Sequence, residues 1–377
     1  MKKPIIFSFF SGCGFLDLGF EDNGFDVQFV NENHQPFLDA YVFSRSKLKK
    51  SKPRFGYSSK SIDDLVYNGS SKDLYSYVNE AKSTRALVGF IGGPPCPDFS
   101  VGGKNKGKDG ENGKLTKVYV DAISKFKPDF FIFENVKGLW RTKRHREFYD
   151  KMKSELDSAG YLLTDRLTNC IEYGAPQDRD RILLFGILRN KSVSGNRNLE
   201  KDFNWDKELK YERSQILDKK IWPATDSYSE DSKLNINFDG EIYKSLTVQY
   251  WFDKNEVNNH PNAKHHFIPR AGLPKFQIID EGDDSKKSYK RLHRWRYSPT
   301  AAYGNNEVHL HPYKSRRISA AEALSIQSLP KEFELPQNMS LTNMFKTIGN
   351  GVPYLAGSGL AKTVKRYLEL KTKPEFH

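Results

Sequence analysis

The chain reads as an α/β protein: a parallel sheet covered by helices on both faces. Two observations predict this class. Apolar runs of strand length recur through the first half of the sequence, and amphipathic stretches with helical spacing lie between them. A third observation bounds the pattern, because it stops after Arg189 and resumes only at Ser319.

In chain order, Pro4–Phe10 (PIIFSFF) reads as a buried strand, followed by a glycine-containing turn and an amphipathic segment through Phe20. Phe25–Val30 is a second strand, Ala86–Gly92 a third and Asp129–Glu134 a fourth. A helix is expected over His145–Ala159, where Phe148, Met152 and Leu156 recur every fourth residue and Gly160 can close the end. Arg181–Leu188 is a further strand. From Asn190 to about Ser315 the chain is polar, rich in Lys, Asp, Asn and Trp, and predicts an irregular second domain with short strands. Ser319-Ala-Ala-Glu322 is a capping box opening a helix over Ala320–Ser328, and Pro353–Leu370 reads as a long C-terminal helix.

Composition narrows the function classes. Across 377 residues, 60 Lys+Arg against 47 Asp+Glu leave a formal charge of +13, which favours a polyanionic partner. Mean hydropathy is low at −0.70, yet 26 Phe and 19 Tyr are too many aromatics for a disordered chain. No apolar run approaches the roughly 18 residues of a membrane helix, and Met1–Pro4 leads straight into a strand without signal-peptide features. The expected location is therefore cytoplasmic, with no membrane partner. Three cysteines cannot form a disulfide framework or a four-cysteine zinc site, and Cys13 and Cys170 read as small buried apolar residues.

Four constellations carry chemistry. Ser11-Gly12-Cys13-Gly14 follows a strand and opens a helix, where glycine lets the backbone pass close to a ligand. The loop lacks the third glycine of a dinucleotide fingerprint, since Asp17 stands there. Glu32, just beyond the second strand, stands where a carboxylate grips ribose hydroxyls in nucleoside-binding α/β folds; a surface Glu beside an ordinary turn is the bland alternative. Gly92-Gly93-Pro94-Pro95-Cys96-Pro97 presents a cysteine from a proline-stiffened loop ahead of Lys104, Lys106 and Lys108, which favour its thiolate. Glu134, in Phe-Glu-Asn-Val at a strand end, is a candidate general acid or else an N-cap. Gln177-Asp-Arg-Asp-Arg181 puts Gln177, Arg179 and Arg181 on one face, hard to explain as core though compatible with a solvated edge.

The ordered set SGCG, ENH, GGPPCP, FENV, QDRDR and GNGVP resembles the C5-cytosine DNA methyltransferase family. The resemblance spans Phe7–Leu188 and resumes at about Arg316–Ala356, with a target recognition domain expected between. It implies a doubly wound mixed sheet of the S-adenosylmethionine methyltransferase type, with a smaller, irregular domain inserted. The catalytic and cofactor-binding domain would comprise residues 1–189, completed by 331–377, and the target recognition domain 190–330. It further implies S-adenosyl-L-methionine as cofactor and double-stranded DNA as substrate, with the target cytosine flipped from the duplex. Cys96 would add to C6 of the base, Glu134 would hold or protonate N3, and Arg181 with Arg179 would hold the O2 edge. Phe10, Gly12, Gly14, Glu32, Ile62, Leu115, Asn350 and Val352 would bind the cofactor. No metal, a monomer, and functional pairing with a restriction endonuclease are expected.

Two positions depart from the family pattern. Ser61 stands where the family usually has an Asp for the adenine amino group, leaving Ser61 or Asp63 for that contact. Pro97 stands where a Gln usually follows the nucleophile. The competing readings are an RNA cytosine-5 methyltransferase acting on tRNA, and a non-catalytic DNA-binding relative. The basic residues of Lys264–Arg296, among them His265, His266, Lys275, Arg291, Arg294 and Arg296, are candidates for reading the major groove.

Overall fold

The computed structural model describes residues 2–95, 111–192, 199–233, 241–269, 272–286, 288–301, 303 and 307–370. Its sheet has seven strands: β1 (Ile5–Phe9), β2 (Asp26–Asn31), β3 (Tyr57–Ser58), β4 (Val88–Gly92), β5 (Phe130–Val136), β6 (Tyr161–Asn169) and β7 (Asp180–Leu188). They lie in the order β3-β2-β1-β4-β5-β7-β6. The run from β3 to β5 is parallel, and β7 pairs antiparallel with both β5 and β6. The sheet is mixed, and its order reverses between β1 and β4. That reversal opens a crevice at the C-terminal strand ends, where open α/β sheets bind ligands.

The helices include α1 (Phe15–Glu21), α2 (Gln35–Lys47), α3 (Ile62–Val66), α4 (Ser71–Ser83), α5 (Glu111–Phe126), α6 (Lys143–Ser158), α7 (Ala320–Ile326), α8 (Leu341–Asn350) and α9 (Tyr354–Leu370). Strand alternation distributes apolar residues between two layers. Phe7, Phe9, Phe131 and Phe133 pack with Ile123 of α5 and Met152 of α6. Ile6, Phe130 and Ile132 face the other way, toward Phe20 of α1, Tyr41 of α2 and Val364 of α9. The C-terminal helix thus returns to cover the first strands. Among the described residues no helix is long and apolar enough to cross a membrane.

Two sequence expectations need correction. β6 carries no strand signal in the sequence, because Thr164, Asp165, Arg166 and Thr168 interrupt its apolar residues; it is an edge strand with a half-exposed face. Short strands were expected between residues 190 and 315. The described residues there form short helices, such as Val248–Lys254, and isolated bridges such as Asp226 with Glu281. Buried Arg291 explains part of this. It donates to the carbonyls of Ile279 (2.7 Å), Lys314 (3.1 Å), His311 and Phe276, so a side chain satisfies acceptors that a ladder would otherwise take.

Start of the polar stretch and its later part pack differently. Phe203 stacks on Phe185 of β7 at 4.3 Å, and the Trp205 indole donates to Thr164 at 3.0 Å. Val248, Phe252, Leu292 and Tyr303 instead join Leu324 of α7, Phe345 of α8 and Phe15 of α1 in a separate apolar cluster.

Candidate active site and cofactor crevice

The chain leaves β1 through a run of left-handed residues: Phe10 (φ 53°), Gly12 (φ 55°) and Gly14 (φ 85°). Gly14 also has no room for a side chain, since a Cβ would lie 2.4 Å from the Tyr41 ring. The buried Arg45 guanidinium donates to the Gly14 carbonyl at 2.6 Å and pairs with Glu21 at 2.8 Å. Asp17, read in the sequence only as a missing glycine, is buried and accepts from Ser8 and Tyr41, both at 2.9 Å. These residues hold the loop from beneath. Arg45 and Tyr41 gave no sequence signal, since α2 shows only weak apolar periodicity around them.

Glu32 faces the loop from the end of β2. One carboxylate oxygen accepts from the Gly12 N–H at 2.9 Å and the other from the His34 N–H at 2.8 Å. Burial raises its pKa, with the two N–H groups working against the rise. Each oxygen keeps a lone pair for a further donor. Asn31 donates to Ser58 and Lys60, drawing the next segment alongside. There the Ser61 hydroxyl caps α3, accepting from the Asp64 N–H at 3.2 Å and donating to its carboxylate at 3.0 Å. Ile62 is turned into the core and Leu115 is half-buried at its edge, while Phe10 meets Tyr119 edge-on at 6.0 Å.

The C-terminal motif reaches the same place. A Cβ on Gly351 would sit 2.1 Å from the Phe15 ring, so α8 ends directly against the helix that Gly14 opens. Asn350 is exposed beside it; Val352 is buried with Cys170, Tyr173 and Ala356. The residues bordering the crevice fit a nucleoside ligand. The loop is free of side chains at Gly12 and Gly14, a carboxylate stands at its rim, and the Ser11 hydroxyl is buried with no partner among the described residues.

Across the switch point lies a second group. Glu134 in β5 and Arg181 in β7 are diagonal cross-strand neighbours, in a register that pairs Val136 with Arg181 and Glu134 with Leu183. Both side chains are mostly buried, and an Arg181 nitrogen stands 2.7 Å from the Glu134 carboxylate. Burial raises the Glu134 pKa; the Arg181 and Arg179 charges oppose the rise without cancelling it. Gly93 presses on the other carboxylate oxygen, 2.5 Å from where its Cβ would be. Asp180, beside Arg181, is held by Lys137, by Arg213 at 2.7 Å and by Asn169 at 3.0 Å. Sequence reading missed this clamp, whose members come from separate elements.

Arg179 is turned elsewhere. It is fully buried and donates to Gln177 (3.3 Å) and to the carbonyls of Ala301 (3.1 Å) and Gly349 (2.6 Å). Cys96 and the lysines at 104, 106 and 108 lie outside the described residues, as do Arg270 and Lys287 of the basic stretch Lys264–Arg296. Burial pushes the Cys13 and Cys170 thiols up to about 12, which suits the inert role read for them.

Of the candidate groove-reading residues, three are spent internally: Arg291, Arg294 and His265. Arg291 binds carbonyls, as above, and Arg294 forms a buried pair with Glu281 at 2.7 Å. His260 and His265 bond to the carbonyls of Phe333 and Gln337. Lys275 and Lys286 are exposed, and Arg296 is half-buried.

Comparison with known proteins shows the family. The model of the C-5 cytosine-specific DNA methylase family matches residues 5–366. The Type II methyltransferase M.NmeDI of Neisseria meningitidis serogroup C is 61% identical over 368 residues, covering 98% of this chain and 85% of that protein. M.FnuDI of Fusobacterium nucleatum, also a Type II methyltransferase, is 28% identical over 376 residues, covering 98% and 96%. Among solved structures, an E. coli prophage protein described as a DNA modification methyltransferase superposes with a TM-score of 0.65 at 20% identity, covering 97% of this chain and 99% of its own. The Dnmt2 methyltransferase of S. pombe gives 0.59 at 11% identity, covering 98% and 100%. These structural likenesses speak to the fold.

Proposed function

Because the chain belongs to the C-5 cytosine-specific DNA methylase family, we propose that it methylates cytosine in double-stranded DNA through Cys96, Glu134 and Arg181. It is a DNA (cytosine-5-)-methyltransferase. The observation that carries the assignment of roles is the Glu134–Arg181 pair, 2.7 Å apart and mostly buried, against a glycine three residues before Cys96.

In the proposed reaction the Cys96 thiolate adds to C6 of a flipped cytosine, and the ring electrons move toward C5 and N3. Glu134, whose pKa burial raises, holds a proton at N3 and so drains that charge. Arg181 fixes the carboxyl orientation and offers its remaining donors to the O2 edge. S-adenosyl-L-methionine, when bound, supplies the methyl group that C5 takes up. A base then removes the C5 proton, and the Cys96 sulfur leaves by elimination. Gly12, Gly14 and Glu32 would hold the donor's adenosine and methionine parts, and Asn350 would close the crevice from the C-terminal side. Phe10, Leu115 and Val352 would supply apolar surface, with Ile62 supporting it from the core. The Ser61 hydroxyl is engaged as a cap, which favours Asp63 for the adenine amino group.

The domain reading stays with residues 1–189 and 331–377 as the catalytic unit and 190–330 as the target recognition unit. Relatives named as Type II methyltransferases support a restriction–modification role. A cognate endonuclease as functional partner, cytoplasmic action and a monomeric enzyme belong to the same proposal. The decisive test is transfer of a labelled methyl group from S-adenosylmethionine to plasmid DNA and, separately, to bulk tRNA, with Cys96→Ala beside the wild type. Label in DNA that vanishes in the variant is expected. Label in tRNA alone would overturn the DNA assignment, and label in neither with DNA still bound would leave a binding protein.

A further inference from the structure

Arg179 stands two residues before Arg181 and would ordinarily be given the same task, yet its bonds run in another direction. The last carbonyls of any helix have no partner within the helix. At the end of α8, the Gly349 carbonyl accepts from Arg179 at 2.6 Å, and the Ile348 carbonyl accepts from the Gln327 side chain, which also reaches the Gly351 carbonyl at 3.4 Å. Gln177 joins the two. Its amide nitrogen donates to the Gln327 side chain at 3.2 Å, and its oxygen accepts from Arg179 at 3.3 Å and from the Ala301 N–H at 2.9 Å. The Ala301 carbonyl accepts from Arg179 in turn, at 3.1 Å. All three side chains are buried. Gly349 is pressed so closely that a Cβ would lie 2.8 Å from the Tyr303 nitrogen.

The knot therefore fixes the exit of α8, and with it Asn350–Val352, relative to the strand bearing Arg181. We propose that Arg179, with Gln177 and Gln327, is a positioning residue that holds the C-terminal wall of the cofactor crevice in register with the base pocket. A charged group is suited to this task because one guanidinium donates to several acceptors in a fixed plane. The inference rests on the assignment of the crevice to S-adenosylmethionine.

The test is calorimetric binding of S-adenosylhomocysteine to the full chain without DNA, together with kcat at saturating methyl donor. Arg179→Met is expected to bind about tenfold or more weakly, because small displacements of positioning groups are costly, and Arg179→Lys to recover part of the loss. Gln327→Met should weaken binding in the same direction while retaining kcat at saturation. Arg181→Met should keep the affinity and lose kcat. Arg179→Met binding as tightly as wild type while losing kcat as Arg181→Met does would overturn the proposal and make Arg179 a base contact. Should Arg179→Met fail to fold by circular dichroism, Gln327→Met decides alone, and unchanged affinity there overturns the proposal. A wild-type chain that neither binds S-adenosylhomocysteine nor transfers methyl groups would instead overturn the functional reading beneath it.

Discussion

At Gly93 the absence of a side chain makes room for a carboxylate. Its would-be Cβ lies 2.5 Å from Glu134 Oε2, the far end of a flexible side chain, so Gly93→Ala can be accommodated by moving that carboxylate. The expected result is a protein that melts within a few degrees of wild type but loses about 10²-fold in kcat, as misplaced catalytic groups do. Single-turnover methylation beside a thermal melt checks both halves. Glu134 itself sets a pH dependence. Its pKa is raised chiefly by burial, so the protonated form persists to higher pH than for a free Glu and is lost as pH rises through that value. Activity should therefore fall on the alkaline side of this titration. Glu134→Gln should lower kcat by about 10²-fold or more and flatten that limb in a pH–rate profile.

At the scale of elements, α7 shows how a local signal and a distant partner combine. The capping box forms as its sequence predicts: the Ser319 hydroxyl accepts from the Glu322 N–H at 3.2 Å, and Glu322 accepts from the Ser319 N–H at 2.7 Å. The same carboxylate takes two donors from Arg316, at 2.7 and 2.9 Å. Burial alone would raise its pKa, but His311, Arg316 and the Ser319 N–H outweigh burial and hold it down at about 2; burial lowers His311 itself to about 3, so near neutrality Arg316 and the Ser319 N–H act without its charge. A depressed carboxylate contributes stability that is present above its unfolded pKa and is lost as pH falls toward the folded one. Glu322→Gln should thus destabilise the protein near neutrality, and the difference from wild type should shrink below about pH 4. Urea unfolding of both proteins at two pH values measures this. Helix α7 stops at Ile326 instead of Ser328, where Ser328 takes a left-handed conformation (φ 55°).

For the whole molecule, a formal charge of +13 and exposed lysines such as Lys275 and Lys286 predict salt-sensitive DNA binding. Affinity for non-specific duplex should fall at least about tenfold between roughly 50 and 200 mM salt, as counterions compete for the phosphates. Fluorescence anisotropy with a labelled duplex tests it, and a flat response would remove the electrostatic account. The positions of β1, β2, β4, β5 and β7, the loop after β1, Glu32 at the end of β2, the Ser319 cap and the return of the last helix were legible from the sequence, because each rests on neighbouring residues and a short period; the two-residue edge strand β3 is too short to show one. The edge strand β6 was not, since its polar residues mask the alternation, nor were the short helices of residues 199–254. The one-face alternation of Gln177, Arg179 and Arg181 was also visible, but alternation assigns a face and not a partner. Which arginine meets Glu134, and which ties Ala301 to Gly349, was decided by chain segments 122 and 170 residues away from Arg179. A sequence thus determines local conformation and the order of reactive groups, whereas burial and hydrogen-bond partners exist only once distant segments have packed together.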